Sequence, residues 1–337
     1  MASHRLAIGP STYSACKRRE ENVLTRRAVL VGLGAVYAAD QAWIAPKPTN
    51  QVDFKVPPGA CDAHVHVIGK SEEFPMSSAR DYTPPAATVD ELRSVLQFLG
   101  IERVIIVTPD LYGTDNSATL AAIRTLGEDR ARGVAWIDGN TPTEVLDSMT
   151  TQGIVGIRVS LYDGKNLNPS IAAQHLQTMF GLAQKRAWHL QFSVPPFVVA
   201  ALASQLASSP VPLVFTYFGW AQGGVDQPGF SALLSLVKSG LAYVKLSEPY
   251  RLSNKGPTYP DLQPAVGALL AANSDRILWG SGWPHLSGPA PRRPVRDITP
   301  DLPIDAGDLL NLFAAWVPDL ETRRKILVDN PARLYGF

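Results

Sequence analysis

Apolar, β-branched-rich runs recur along this chain, and between them apolar positions return every three or four residues. Eight such runs stand at 60–67, 103–108, 133–137, 154–160, 188–193, 211–218, 241–247 and 276–281. The helical stretches fall at 89–99, 116–126, 142–151, 169–186, 196–208, 228–238, 261–272 and 304–316, with 319–328 as an extra. The first helix has legible ends, because Thr88-Val89-Asp90-Glu91 is a capping box and Gly100 stands where a helix stops. Repeated βα units build a parallel sheet, and eight of them predict an α/β fold closed into a (β/α)8 TIM barrel. In such a barrel chemistry sits at the carboxyl ends of the strands. Each polar candidate can therefore be judged by where along its strand it falls.

Composition fits one large core: 337 residues, 45% hydrophobic and 18% charged. Formal net charge is +1, but the first 38 residues contribute +4 and leave −3 for the remainder. A weakly acidic body argues against a nucleic-acid partner. The basic stretch ends in Thr25-Arg26-Arg27 and runs into 11 apolar or small residues, Ala28 to Ala38. That order reads as a twin-arginine export signal cleaved after Ala38, and it is too short for a membrane-spanning helix. The competing reading is a basic tail before a buried or amphipathic helix. Export divides the chain into a signal at 1–38, a proline-rich linker or arm at 39–58 and the barrel at 59–337, and it places the mature protein in the periplasm. Without the signal, the protein stays in the cytoplasm. Cleavage would also remove Cys16, leaving Cys61 without a disulfide partner.

His64 and His66 stand at i and i+2 of the first strand, so both point to one side, here the barrel interior. Two imidazoles there suit a metal ion or an anionic substrate, or a purely structural hydrogen-bonding role. The ordered stretches that follow are Tyr82-Thr83-Pro84-Pro85, Tyr112-Gly113-Thr114-Asp115-Asn116, Gly156-Ile157-Arg158, Phe218-Gly219, Lys245-Leu246-Ser247 with Pro249-Tyr250-Arg251, Trp283-Pro284-His285 and Asn330-Pro331-Ala332-Arg333. With Asp62-Ala63-His64-Val65-His66-Val67 at their head, they resemble the lactone-acting amidohydrolase-2 group of the amidohydrolase superfamily from about Pro57 to Phe337.

The resemblance implies a substrate that is a small carboxylated ring or lactone, such as a pyrone dicarboxylate or a muconolactone, handled without a metal cofactor. Arg158, at the end of the fourth strand, and Arg251, after the seventh, match the group's carboxylate clamps, a task suited to the bidentate guanidinium. Tyr82 matches a substrate-contacting tyrosine. Other positions depart from the group. Tyr217 replaces a histidine at the sixth strand, Ser193 stands where metal-using relatives have histidine, and Asp110 follows the second strand where serine is usual. Gly282 replaces the eighth-strand aspartate that takes the proton from the attacking water.

His64 and His66 alone fall short of the three ligands a catalytic metal needs. His189 lies too deep in its strand to help, and His175 lies in a helix. The remaining proton-transfer candidates are His285 and Asp110 as bases and Tyr217 as a donor. Arg292, Arg293 and Arg296 form a basic loop that either lids the pocket or is simply solvated. Two readings follow: an enzyme that hydrolyses or isomerises a carboxylated lactone, and a catalytically silent barrel that binds a carboxylate. A Gly282→Asp variant beside the parent is the comparison that would separate them.

Overall fold

A computed structural model describes residues 45–161 and 167–337, so the segment expected to be an export signal, 1–38, lies outside the described residues. The eight predicted strands all form: β1 (Cys61–Val65), β2 (Arg103–Val107), β3 (Ala131–Trp136), β4 (Ile154–Val159), β5 (His189–Phe192), β6 (Leu213–Phe215), β7 (Ala242–Ser247) and β8 (Ile277–Gly280). Each pairs in parallel with the next, in chain order. Just beyond the strand ends the ring closes, with Gly282 N–H donating to His64 O at 2.9 Å and His66 N–H donating to Trp283 O at 2.8 Å. This is the eightfold βα barrel expected from the alternation.

Strand residues alternate between two cores. Val104 and Ile106 join the large layer between strands and helices. Ile105 and Val107 instead join Cys61, Ala63, Val134, Val214, Tyr243 and Leu278 in a smaller cluster that fills the barrel. Tyr335 plugs its amino end, while Phe337 lies under the guanidinium groups of Arg103 and Arg132. The β1–β2 register slips between Asp62 and Val65. Such a bulge re-aims side chains, and here it falls at the histidine pair.

The helix Val89–Leu99 opens on the predicted capping box, with both reciprocal bonds present, and stops at Gly100 in the left-handed region. A cap of this kind contributes about 1 kcal/mol. Two expectations are corrected. The helix expected over 196–208 breaks at Leu202 into Pro196–Ala201 and Ala203–Ala207. The strand expected over 211–218 ends at Phe215, because Tyr217, Phe218, Gly219 and Trp220 all take positive φ and turn the chain left-handedly. Non-glycine residues there cost on the order of 1–2 kcal/mol each, a strain that clusters at functional sites.

The segment preceding the barrel lies along its side. Thr49 and Asn50 donate backbone N–H groups to Asp305, and Pro46 O accepts from the Trp283 indole at 2.8 Å. Among the described residues no helix is long and apolar enough to cross a membrane.

Candidate active site

β1 delivers His64 and His66 to the mouth, both nearly fully buried, with ring centroids 5.1 Å apart in an edge-to-face arrangement. Burial foremost lowers the pKa of both, helped by the positive charges of Lys245, Arg158 and Arg251, and His66 falls to about 3. Both rings are therefore neutral at pH 7. The His66 Nδ1 bonds to Val107 O at 2.7 Å, and since a carbonyl only accepts, Nδ1 carries the proton. Its Nε2 can then accept but not donate. His64 is different, because neither of its ring nitrogens has a hydrogen-bond partner.

From the end of β4, Arg158 lies over the Trp136 ring at 4.7 Å and donates to Thr108 O at 3.3 Å. Arg251 follows β7, with Nε 2.6 Å from Glu248 Oε1, Nη2 donating to Leu286 O, and its guanidinium 5.6 Å from the Tyr217 ring centre. Part of its donor fork is thus committed inside the protein. Tyr217 stands 6.1 Å from the His64 ring, and burial foremost raises its pKa to about 12, which keeps it a proton donor. Ser193 receives a hydrogen bond from the Trp220 indole.

His285 is fully buried at a positive φ of 66°, with its pKa lowered to about 3, chiefly by burial. Its Nδ1 lies 3.1 Å from Tyr250 Oη, and that hydroxyl donates to Glu248 Oε1 at 3.3 Å. The structure thus links His285, Tyr250, Glu248 and Arg251 in one hydrogen-bonded chain. Asp110 is not part of it. That residue is exposed on the rim and, with Tyr82, lines a side cavity of about 90 Å³. Arg292, Arg293 and Arg296 are also exposed, on a loop held to Thr83 through Val295 O and the Thr299 N–H.

His189 and Lys245 lie deeper. His189 packs edge-on against Tyr335 at 5.4 Å, and Lys245 donates to Ala63 O and Gln191 Oε1. Burial lowers the Lys245 pKa to about 7 and raises that of Asp62 to about 6. Asp62 accepts the N–H groups of His64 and Ser281, so it braces the histidine strand against β8.

Sequence reasoning missed Glu248. It is fully buried, left-handed at φ 53°, and its Oε2 is 3.9 Å from His64 Nε2 with no hydrogen-bond partner. With His64 neutral the two do not form an ion pair. The signal was an acid directly after a strand, set between two matched stretches, Lys245-Leu246-Ser247 and Pro249-Tyr250-Arg251. Glu248 also decides position 282. Gly282 has φ 75°, and a Cβ there would overlap Glu248 Cγ and come within 2.5 Å of its Cδ. An aspartate at 282 would therefore meet a strained backbone and the Glu248 side chain.

As for a metal ion, among the described residues no group of three or more His, Cys, Asp or Glu side chains is placed to hold one.

A parallel barrel with histidines at the end of β1, arginines after β4 and β7, and buried polar atoms converging at one mouth defines a barrel hydrolase of the amidohydrolase type. The family model described as Amidohydrolase matches residues 61–337, and the chain belongs to that family. It is 34% identical over 310 residues to the 4-sulfomuconolactone hydrolase of Rhizobium radiobacter, covering 88% of this chain and 98% of that one. The 2-pyrone-4,6-dicarbaxylate hydrolase of Comamonas testosteroni is 31% identical, over 85% of this chain and 93% of that one. A probable 2-pyrone-4,6-dicarboxylic acid hydrolase from Acinetobacter baumannii, solved with citric acid bound, superposes with a TM-score of 0.71 at 26% identity, over 83% of this chain and all of that one.

Proposed function

We propose that the protein hydrolyses a small lactone bearing one or more carboxylates, using its own side chains and no metal. The observation that carries this reading is the gathering of two guanidinium groups, Arg158 at the end of β4 and Arg251 after β7, at the same barrel end as two neutral buried imidazoles 5.1 Å apart, with Arg251 bonded to the Glu248 carboxylate that stands 3.9 Å from His64. Cationic forks facing uncharged polar groups suit a ring with anionic substituents and a neutral ester. The relatives named above, which are hydrolases of a sulfonated muconolactone and of a pyrone dicarboxylate, support the same substrate class.

In this reading Arg158 and the remaining Arg251 donors hold the carboxylates. His64 donates a hydrogen bond to the lactone carbonyl and stabilises the oxyanion that forms there. His66 cannot share that task, because its proton is given to Val107 O. Tyr217 supplies a proton to the leaving ring oxygen, consistent with a hydroxyl that stays protonated. We also propose, from the Thr25-Arg26-Arg27 run alone, that the protein is exported; the amino-terminal residue of the mature chain tests this.

The test of function is ring opening of 4-sulfomuconolactone and 2-pyrone-4,6-dicarboxylate by the full chain, followed in the ultraviolet, with calorimetric binding of each in parallel. Turnover supports the lactonase reading. Tight binding of either ring with no turnover at any pH would overturn it in favour of the silent barrel.

A further inference from the structure

Resting on the lactonase reading, we infer that Glu248, supplied by the end of β7, is the general base that activates the attacking water, in the space a position-282 side chain would otherwise fill. Three independent observations meet at this residue. The first is steric, since the Glu248 side chain runs through the volume that a Cβ on Gly282 would enter, and Tyr250 Oη closes the rest at 2.9 Å. The carboxylate thus stands at the mouth of β8 although it is carried by β7. The second is its polar environment. One oxygen, Oε1, is held by Arg251 Nε at 2.6 Å and by Tyr250 Oη at 3.3 Å. The other, Oε2, is buried, has no hydrogen-bond partner and faces His64 Nε2 at 3.9 Å. That distance is too long for a direct hydrogen bond and is suited to two groups that act on one small molecule between them. The third is backbone strain. Glu248 is held at φ 53°, ψ 55°, a conformation that costs a non-glycine residue on the order of 1 kcal/mol or more and persists where the surroundings require it.

The chemistry balances with water as the only co-reactant. Glu248 Oε2 accepts one proton of the water as its oxygen bonds to the lactone carbonyl carbon, and the carbonyl electrons move to an oxyanion bonded by His64. The oxyanion then re-forms the carbonyl and the ring C–O bond breaks. The departing ring oxygen takes its proton from Tyr217, which regains one from Glu248, and the products are a carboxylic acid and a free hydroxyl or its keto tautomer. Arg251 and Tyr250 act as positioning residues, because they fix one carboxylate oxygen and so aim the other. The His285 ring joins this arrangement through its hydrogen bond with Tyr250.

The test compares the parent with Glu248→Gln and with the double variant Glu248→Ala/Gly282→Asp. Glutamine keeps the volume and an acceptor for Arg251 and Tyr250 but cannot take a proton. We expect kcat to fall ~10²–10⁴-fold, KM and inhibitor binding to change less than about threefold, and the acidic limb of the pH–rate profile to vanish. The double variant returns a carboxylate from the neighbouring strand and should exceed Glu248→Ala alone by at least about tenfold. Should the parent open lactones and Glu248→Gln do so equally fast with the same pH profile, the inference falls and the lactonase reading stands. Should the parent bind these rings but open none, both fall together. A Glu248→Gln protein that does not fold leaves the Glu248→Ala/Gly282→Asp comparison and rescue of Glu248→Ala by added formate, whose joint failure in a folded protein also overturns the inference.

Discussion

The two ends of the barrel each bury histidine, and they use it differently. At the mouth, His64 has both ring nitrogens unpartnered, with a carboxylate 3.9 Å away and two arginines near. At the floor, His189 is as deeply buried, its ring nitrogens are likewise without a hydrogen-bond partner and burial foremost lowers its pKa to about 3, but it fits beneath Gly156, against the face of Tyr335. Burial and a lowered pKa therefore do not distinguish a working imidazole from a packed one. The neighbours do: a carboxylate and two arginines at one end, an aromatic ring and a missing Cβ at the other.

The largest effect expected from this contrast is a split between activity and stability. His64→Gln should lower kcat/KM by ~10²–10³-fold with little change in melting temperature, since it removes a transition-state donor. His189→Ala should do the reverse, costing about 2–4 kcal/mol of stability through the hole it leaves while kcat is kept. Equal loss of activity from both would erase the contrast.

Gly282→Asp sharpens the comparison at the mouth alone. The new side chain meets Glu248 and a left-handed backbone, so thermal unfolding should show a loss of about 1–3 kcal/mol and assays no gain in turnover. Smaller still is Arg158→Lys, where a point charge replaces a fork stacked on Trp136. KM for a dicarboxylate ring should rise roughly tenfold with kcat little changed.

The last prediction joins both ends. His66, His189 and His285 each have folded pKa values of about 3, below the unfolded 6.5, so the unfolded chain binds more protons in between. Their contribution to stability is present above pH 6.5 and is lost as the pH falls toward 3. Asp62 and Asp301, raised by burial to about 6 and about 7, act in the opposite sense over pH 3.8–7 and offset part of the loss. Melting temperature should fall with acidification from pH 6.5 to 4, less steeply than three histidines alone would give.

Much of this molecule could be read from its residues because barrel formation depends on local alternation. Strand runs, the Thr88–Glu91 box and Gly100 each declare themselves within a few positions. The histidine pair and the arginines were legible for the same reason, being set at strand ends. The run 211–218 reads as an extended strand through Tyr217 and Phe218, because Thr216-Tyr217-Phe218 is apolar enough to continue one; the left-handed turn that the structure shows there is not signalled by local pattern. Glu248 carries a signal as an acid directly after a strand, but its meaning depends on a partner that is absent, the side chain at 282, and on a meeting of β7 with β8 that no spacing rule reports.

The interlock of Glu248 with Gly282 also governs how this site can drift. A chain that carries both acids must push one out of the mouth, and a chain that carries neither has no proton acceptor there. Single substitutions at either position therefore lead downhill, and passage between the two arrangements requires paired changes. Positions far apart in sequence are bound to one another like the two keys of a single lock.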